Sequence, residues 1–285
     1  MNQGHRCTPR PGQGGFTLVE LVMVIVIMGV IGGIVAVFMR SPMEAYLASA
    51  RRAALTDVAD TAVRRMARDI HSSLPNSIRT SGSNCIEFIP TKTGGRYRAE
   101  EKVSGDDTSL DFSKVDTTFN MLGSNSALPL AQQIAVNDLV VVYNLGIAGA
   151  SAYNATNRNI ARVSAPPSES GSPIETTISI DGTQFPLASG SNRFHVVPFA
   201  EQQVAYVCSG GNLYRSVASA PTVSAACVPG GPVIASHVNC AQTTFSYSGP
   251  DLARNALVSM VLSLRDSSET ETVTLQHEVH VSNTP

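Results

Sequence analysis

The most pointed chemistry in this chain sits in six residues. Gly15-Phe16-Thr17-Leu18-Val19-Glu20 sets one carboxylate at the head of an uninterrupted apolar run. A carboxylate costs about 2–3 kcal/mol at the centre of a membrane helix even on insertion scales, so Glu20 reads as functional by default. Other sets of reactive side chains are weaker. His277-Glu278-Val279-His280 lacks the i, i+4 histidine spacing of a zinc helix, and on a strand its two histidines point to opposite faces. Asp106, Asp107, Asp111 and Asp116 lack the Asp-x-Asp-x-Asp-Gly pattern of a calcium loop and read as a solvated acidic segment. His5, His71, His195, His237, His277 and His280 form no cluster. There is no Gly-x-x-x-x-Gly-Lys phosphate loop and no Gly-x-Ser-x-Gly nucleophile elbow. Asn154-Ala155-Thr156 is a formal sequon and nothing more. The expectation is no catalytic residue, no cofactor and no metal.

The cysteines form a second set. Cys7 lies ahead of the apolar run, which leaves Cys85, Cys208, Cys227 and Cys240, an even number. Their spacing fits no Cys-x-x-Cys zinc pattern, and four cysteines allow three connectivities. Disulfides in an oxidising compartment are the expectation, with Cys208–Cys227 and Cys85–Cys240 favoured.

The elements that position these groups follow from hydropathy. The 19 residues 21–39 are apolar or glycine throughout and span about 28 Å as a helix, close to a bilayer core. A cleaved secretory signal would have a shorter apolar region of about 7–15 residues and a small-residue cleavage site; this run ends Phe38-Met39-Arg40-Ser41-Pro42. Residues 44–71 then change character. Leu47, Ala48, Leu55, Val58, Ala59, Ala62, Met66 and Ile70 recur near helical spacing, without Gly or Pro. The helix is expected to end at Leu74, before Pro75. Pro42 is expected to kink it, with Gly29, Gly32 and Gly33 as further soft points. Arg51, Arg52, Arg64, Arg65 and Arg68 read as a solvated face. The net charge of −2, from 20 Lys+Arg and 22 Asp+Glu, argues against a chain that coats nucleic acid.

About 210 residues remain, enough for one sizeable core. The stretches 85–90, 138–145, 159–164, 174–180, 193–198, 201–208, 212–218, 233–239, 243–247, 256–264 and 272–281 read as strands separated by turn signals. Residues 100–132 read as an irregular insertion loop. One N-terminal helix followed by strands predicts an α+β fold with an antiparallel sheet.

Gly15-Phe16-Thr17-Leu18-Val19-Glu20 followed by an apolar stretch resembles the prepilin signal of type IV pilins and type II secretion pseudopilins. The resemblance implies a leader (1–15) cut between Gly15 and Phe16 by a prepilin peptidase, and N-methylation of Phe16. It also implies a helix (16–74) that crosses the bacterial inner membrane once at about 18–39, and a β-rich head (75–285) in the periplasm. Thr17 and Glu20 would serve assembly, Glu20 by meeting a neighbouring subunit's N-terminal amine. Glycine suits the cut because the backbone must fit a narrow site. An unpaired carboxylate in an apolar fibre is heavily penalised, so the pair would fix register. Residues 51–70 with Leu74-Pro75-Asn76-Ser77 are similar to minor pilins of the mannose-sensitive haemagglutinin (MSHA) pilus, relatives of the J-type minor pseudopilin. The implied partners are the peptidase, other minor and major pilins, an assembly platform with a separate ATPase, and membrane lipid, with no nucleic acid. The alternatives are a type II secretion pseudopilin and a signal-anchored envelope protein or enzyme.

Overall fold

The computed structural model describes residues 15–154, 159–224, 227–248, 255–267 and 271–285. Cys7, most of the expected leader and the end of the sequon lie outside these residues. Helix α1 spans Leu18–His71 and includes Pro42 without interruption. Its residues divide between two compact units, Met1–Arg51 and Arg52–Pro285. In the first unit, residues 15–47 are exposed on every face, apolar side chains included. A helix apolar all round buries itself in a membrane or among other helices, and this one is long and apolar enough to cross a membrane.

In the second unit α1 is amphipathic. Ala59, Ala62, Val63, Met66, Ala67 and Ile70 are buried at the i, i+3, i+4 spacing of a single stripe. Val58, expected on that stripe, is 41% exposed; Val63 and Ala67 complete the face instead. The helix ends at His71 and not at Leu74. The Leu74 N–H donates to Ile89 O at 2.7 Å, and Ser73 bridges to Pro90, so these residues are recruited to extended pairing before Pro75 is reached.

Fifteen strands follow among the described residues: β1 (Arg79–Thr80), β2 (Cys85–Phe88), β3 (Thr93–Arg96), β4 (Asp116–Leu122), β5 (Leu139–Val142), β6 (Ile160–Arg162), β7 (Ser168–Ser170), β8 (Glu175–Thr183), β9 (Arg193–Val197), β10 (Gln203–Ser209), β11 (Asn212–Ala218), β12 (Val233–Ser236), β13 (Thr244–Ser248), β14 (Asn255–Arg265) and β15 (Thr272–Ser282). Every pairing between them is antiparallel, so the α+β class with an antiparallel sheet holds. The sheet β1-β2-β10-β11-β12 and the sheet β13-β14-β15 share a core with the α1 stripe, built on Met66, Ile70, Phe88, Tyr206 and Met260.

Strands β2 and β10 are neighbours, with Phe88 opposite Val204 and Ile86 opposite Tyr206. Everything from β3 to β9 is inserted between them. The insert has sheets β3-β9-β5-β6 and β4-β8-β7, which share a core of Tyr97, Phe119, Val140, Ile178, Phe185 and Phe194. The expected loop over 100–132 therefore contains a strand, β4, paired from Asp116 to Leu122 with β8. Strand β3 reads Thr-Gly-Gly-Arg, and its glycines are required by close approach: a Cβ on Gly94 would meet Phe194 O at 2.8 Å, and one on Gly95 would meet Met121 Sδ at 2.8 Å.

Candidate functional site

The start of α1 is built by local hydrogen bonding. Thr17 precedes the first helical residue, and its Oγ1 accepts the Glu20 N–H at 3.3 Å, while its carbonyl accepts the Leu21 N–H at 3.2 Å. Thr17 is thus the N-cap, and Thr17-x-x-Glu20 has the spacing of a capping box. The Thr-x-x-Glu spacing is the signal in the sequence for this cap. Glu20 stands in the first turn, where a carboxylate is favoured by the helix dipole. Its side chain is exposed and carries no partner among the described residues. Gly15 and Phe16 lie outside the helix, with Phe16 85% exposed. A Cβ on Gly15 would meet nothing within 4 Å among the described residues, so none of them calls for glycine there.

A polar clamp ties the other end of α1 to the sheet. Arg215 on β11 donates through Nε to Asp69 at 2.8 Å, and through its two terminal nitrogens to Glu201 at 2.9 and 2.7 Å. The Tyr206 hydroxyl also donates to Asp69, at 2.8 Å. The hydrogen bonds that Arg215 donates to Glu201, and then to Asp69, hold its guanidinium more firmly protonated than usual. Burial, and then the Asp69 charge, push the Tyr206 phenol up. On the solvent side of α1, Arg52 Nε pairs with Glu271 at 2.5 Å and Arg64 with Asp60 at 2.6 Å; the arginine face is partly engaged.

The turn Leu74-Pro75-Asn76-Ser77 is a junction between helix, insert and C-terminus. Asn144 Nδ2 donates to Pro75 O at 2.6 Å, Asn76 Nδ2 to Asn144 O at 2.9 Å and to Asn283 O at 3.1 Å, and the Tyr153 hydroxyl to Ser77 O at 2.9 Å. Gly146 sits at φ +72°, and a Cβ there would meet Asn76 O at 2.8 Å. Beside it the Arg79 guanidinium lies 3.7 Å over the Tyr153 ring and donates to the carbonyls of Thr222 and Val223. Within the insert, hydrogen bonds from Arg98, Asn120 and Lys102 hold the Glu175 carboxyl at about 2, against the opposing effect of burial.

The disulfides pair Cys85 with Cys227 and Cys208 with Cys240, which corrects the favoured Cys208–Cys227 and Cys85–Cys240. Sheet faces explain the outcome. Cys85 lies opposite Val207 and, with Ala205, Val207 and Cys227, forms a small cluster apart from the main core. Cys208 and Cys240 belong to the helix-facing core.

The acidic residues of 106–116 are engaged in loop bonding. Asp106 accepts from the Lys102, Val103 and Thr108 N–H groups, Asp111 from Ser113, and Asp116 from the Asp111 N–H. His277 and His280 lie on β15, three positions apart and hence on opposite faces.

Residues 10–36 match the prokaryotic N-terminal methylation motif. The match covers Gly15, Phe16, Glu20 and most of the apolar segment, and it supports a type IV pilin-like chain processed by a prepilin peptidase. With the one apolar N-terminal helix it points to a single-pass inner-membrane protein. No curated protein and no solved structure matches the chain.

Proposed function

We propose that this chain is a structural subunit, a minor pilin, cut between Gly15 and Phe16, methylated on Phe16 and assembled into a type IV pilus of MSHA type or at its tip. One observation carries the reading: the methylation motif over residues 10–36 spans the start of an exposed helix whose residues 21–39 are all apolar or glycine. The Gly15–Phe16 bond is exposed and non-helical, as a peptidase substrate must be, and the described residues leave the glycine at 15 without another reason. The Glu20 carboxylate is at hand for a neighbouring subunit's amine, while Thr17 keeps the helix capped when the leader has gone. The choice of an MSHA-type fibre over a secretion pseudopilus rests on the likeness of residues 51–70 to the minor pilin MshO. The head would stand in the periplasm, where its two disulfides form. Assembly would draw on other minor and major pilins and on a platform driven by a separate ATPase.

Mass spectrometry of the terminal peptide of the native protein tests this. The expected species begins at N-methylated Phe16; an intact Met1 terminus on most molecules refutes the reading. Gly15→Lys is expected to leave a longer, unassembled precursor.

A further inference from the structure

We infer that the open edge of β15 pairs with β15 of a second copy of this chain, antiparallel and centred on His277. The three-stranded sheet has one covered edge and one open edge. On the β13 side, the Phe245 N–H donates to Ser83 O at 2.7 Å. On the other side β15, 11 residues long, pairs among the described residues with β14 alone, in unbroken register from Thr272 opposite Arg265 to Ser282 opposite Asn255.

The direction of the main-chain groups follows from neighbouring bonds. Around the Val238–Leu264 bridge, the Asn239 N–H donates to Ser263 O and the Arg265 N–H to His237 O. Ser263 and Arg265 therefore turn their main chain away from β15, and Leu264 turns its own toward β15. Leu264 lies opposite Val273 and Met260 opposite His277, so the odd-numbered residues of β15 bond to β14. The N–H and C=O groups of Thr272, Thr274, Gln276, Glu278, His280 and Ser282 point out of the sheet. All six residues are exposed, and no described residue bonds their outward main chain.

Edges of this kind are normally blunted by proline, lysine, a bulge or shortness. β15 has no proline, lysine or register shift. By contrast β6, β7 and β12, also at sheet edges, are three or four residues long.

The strand's reversal symmetry selects a second copy as occupant. Paired about His277, all 11 residues overlap and each pair matches in kind. Val273 meets Val281, Leu275 meets Val279, Thr274 meets His280, Gln276 meets Glu278 and Thr272 meets Ser282. No carboxylate lies directly opposite another. A shift by two positions loses two residues of overlap, and a shift by one sets apolar side chains on the polar face. Val273 and Leu275, only partly buried at the present edge, gain valine neighbours. In this register His277 meets its own copy as a non-hydrogen-bonded pair, with Cα atoms about 4.5 Å apart, within the disulfide range.

The test uses the full-length chain in detergent, in a Cys7→Ser background. Under mild oxidation His277→Cys is expected to form a disulfide-linked dimer about tenfold or more faster than Ser246→Cys, an exposed control on the covered β13 edge. Adding Gln276→Pro removes one outward N–H per copy and keeps the bonds to β14. Adding Gln276→Glu instead sets a carboxylate opposite Glu278 of the second copy. Either is expected to slow the cross-link about tenfold, the proline by removing two hydrogen bonds across the pair and the glutamate by setting two pairs of like charges opposite each other. Cross-linking at 277 no faster than at 246, or unaffected by Gln276→Glu, overturns the proposal. Sedimentation of the chain without added cysteine gives an independent answer: a dimer that Gln276→Glu dissociates supports the pairing. A monomer at high micromolar concentration, or a dimer that persists with Gln276→Glu, refutes it.

Discussion

Removing the Asp69 carboxylate measures how firmly α1 is held to the sheet by polar contact. Asp69 accepts from Arg215 and from Tyr206, each at 2.8 Å, and the Arg215 and Asp69 side chains are 10% and 22% exposed. Breaking a buried ion pair by deleting one partner costs about 3–5 kcal/mol, and an exposed pair about 0–1 kcal/mol. Asp69→Ala leaves Arg215 bonded twice to Glu201, and part of the Asp69 side chain already meets water. The expected loss is therefore about 2–3 kcal/mol, below the fully buried figure. Tyr206→Phe deletes one hydroxyl bond and is expected to cost about 1 kcal/mol. Asp60→Ala breaks the pair with Arg64, whose side chains are 44% and 74% exposed, and is expected to cost under about 0.5 kcal/mol. Urea unfolding of the purified full chain in detergent, followed by circular dichroism because the chain has no Trp, gives the three values from their midpoints. If Asp69→Ala costs no more than Asp60→Ala, the clamp does not hold the helix and the apolar stripe suffices.

Three further outcomes are expected. Cys85→Ser leaves one reactive thiol, on Cys227, in unreduced, denatured mature protein, and removing the Cys85–Cys227 link, which spans 142 residues, costs about 3–5 kcal/mol; thiol labelling on Cys240 instead would contradict the pairing. His195 is held at about 4, chiefly by burial and then by Arg193. The folded state therefore binds fewer protons than the unfolded one, whose histidine titrates near 6.5. Stability is full above about pH 6.5 and declines as pH falls toward 4; His195→Gln should flatten that slope, read from unfolding midpoints across the window. Glu20→Ala should leave processing, membrane insertion and head stability intact but reduce co-purification with partner pilins, and wild-type recovery would show that the helix packs by apolar contact alone.

The sequence announces some of this architecture and conceals the rest for local reasons. Residues 21–39 and the stripe through Ala59, Ala62, Met66 and Ile70 are legible because hydropathy and helical period agree. Strands β10 and β14 are legible because their Val, Leu and Tyr residues form short apolar runs bounded by turn residues. β3 is hidden because Gly94 and Gly95 look like a turn, whereas packing against Phe194 and Met121 requires them. β4 is hidden by the polar stretch before it. The disulfide pairing depends on which face of β2 and β10 each cysteine occupies, and that follows from a strand register between residues more than 100 positions apart. Gly15, Phe16 and Glu20 are legible as a motif, while the clamp of Asp69, Arg215 and Glu201 joins positions that no local pattern links.

The insertion of β3–β9 between two adjacent strands has a consequence for the order of folding. Pairing β2 with β10 directly closes a loop of more than 100 residues, since Phe88 must find Val204. Thr93 pairs with Val196 near the mouth of the insert. Once that clasp has formed, only about 13 residues remain to be closed between Phe88 and Val204, and the entropic cost falls by about 2 kcal/mol. The favoured sequence of events is therefore that the insert folds first and delivers the two halves of the helix-facing sheet to each other. The same clasp makes the insert an exchangeable module: a different domain whose ends come together at this spacing would leave the helix and its sheet able to form.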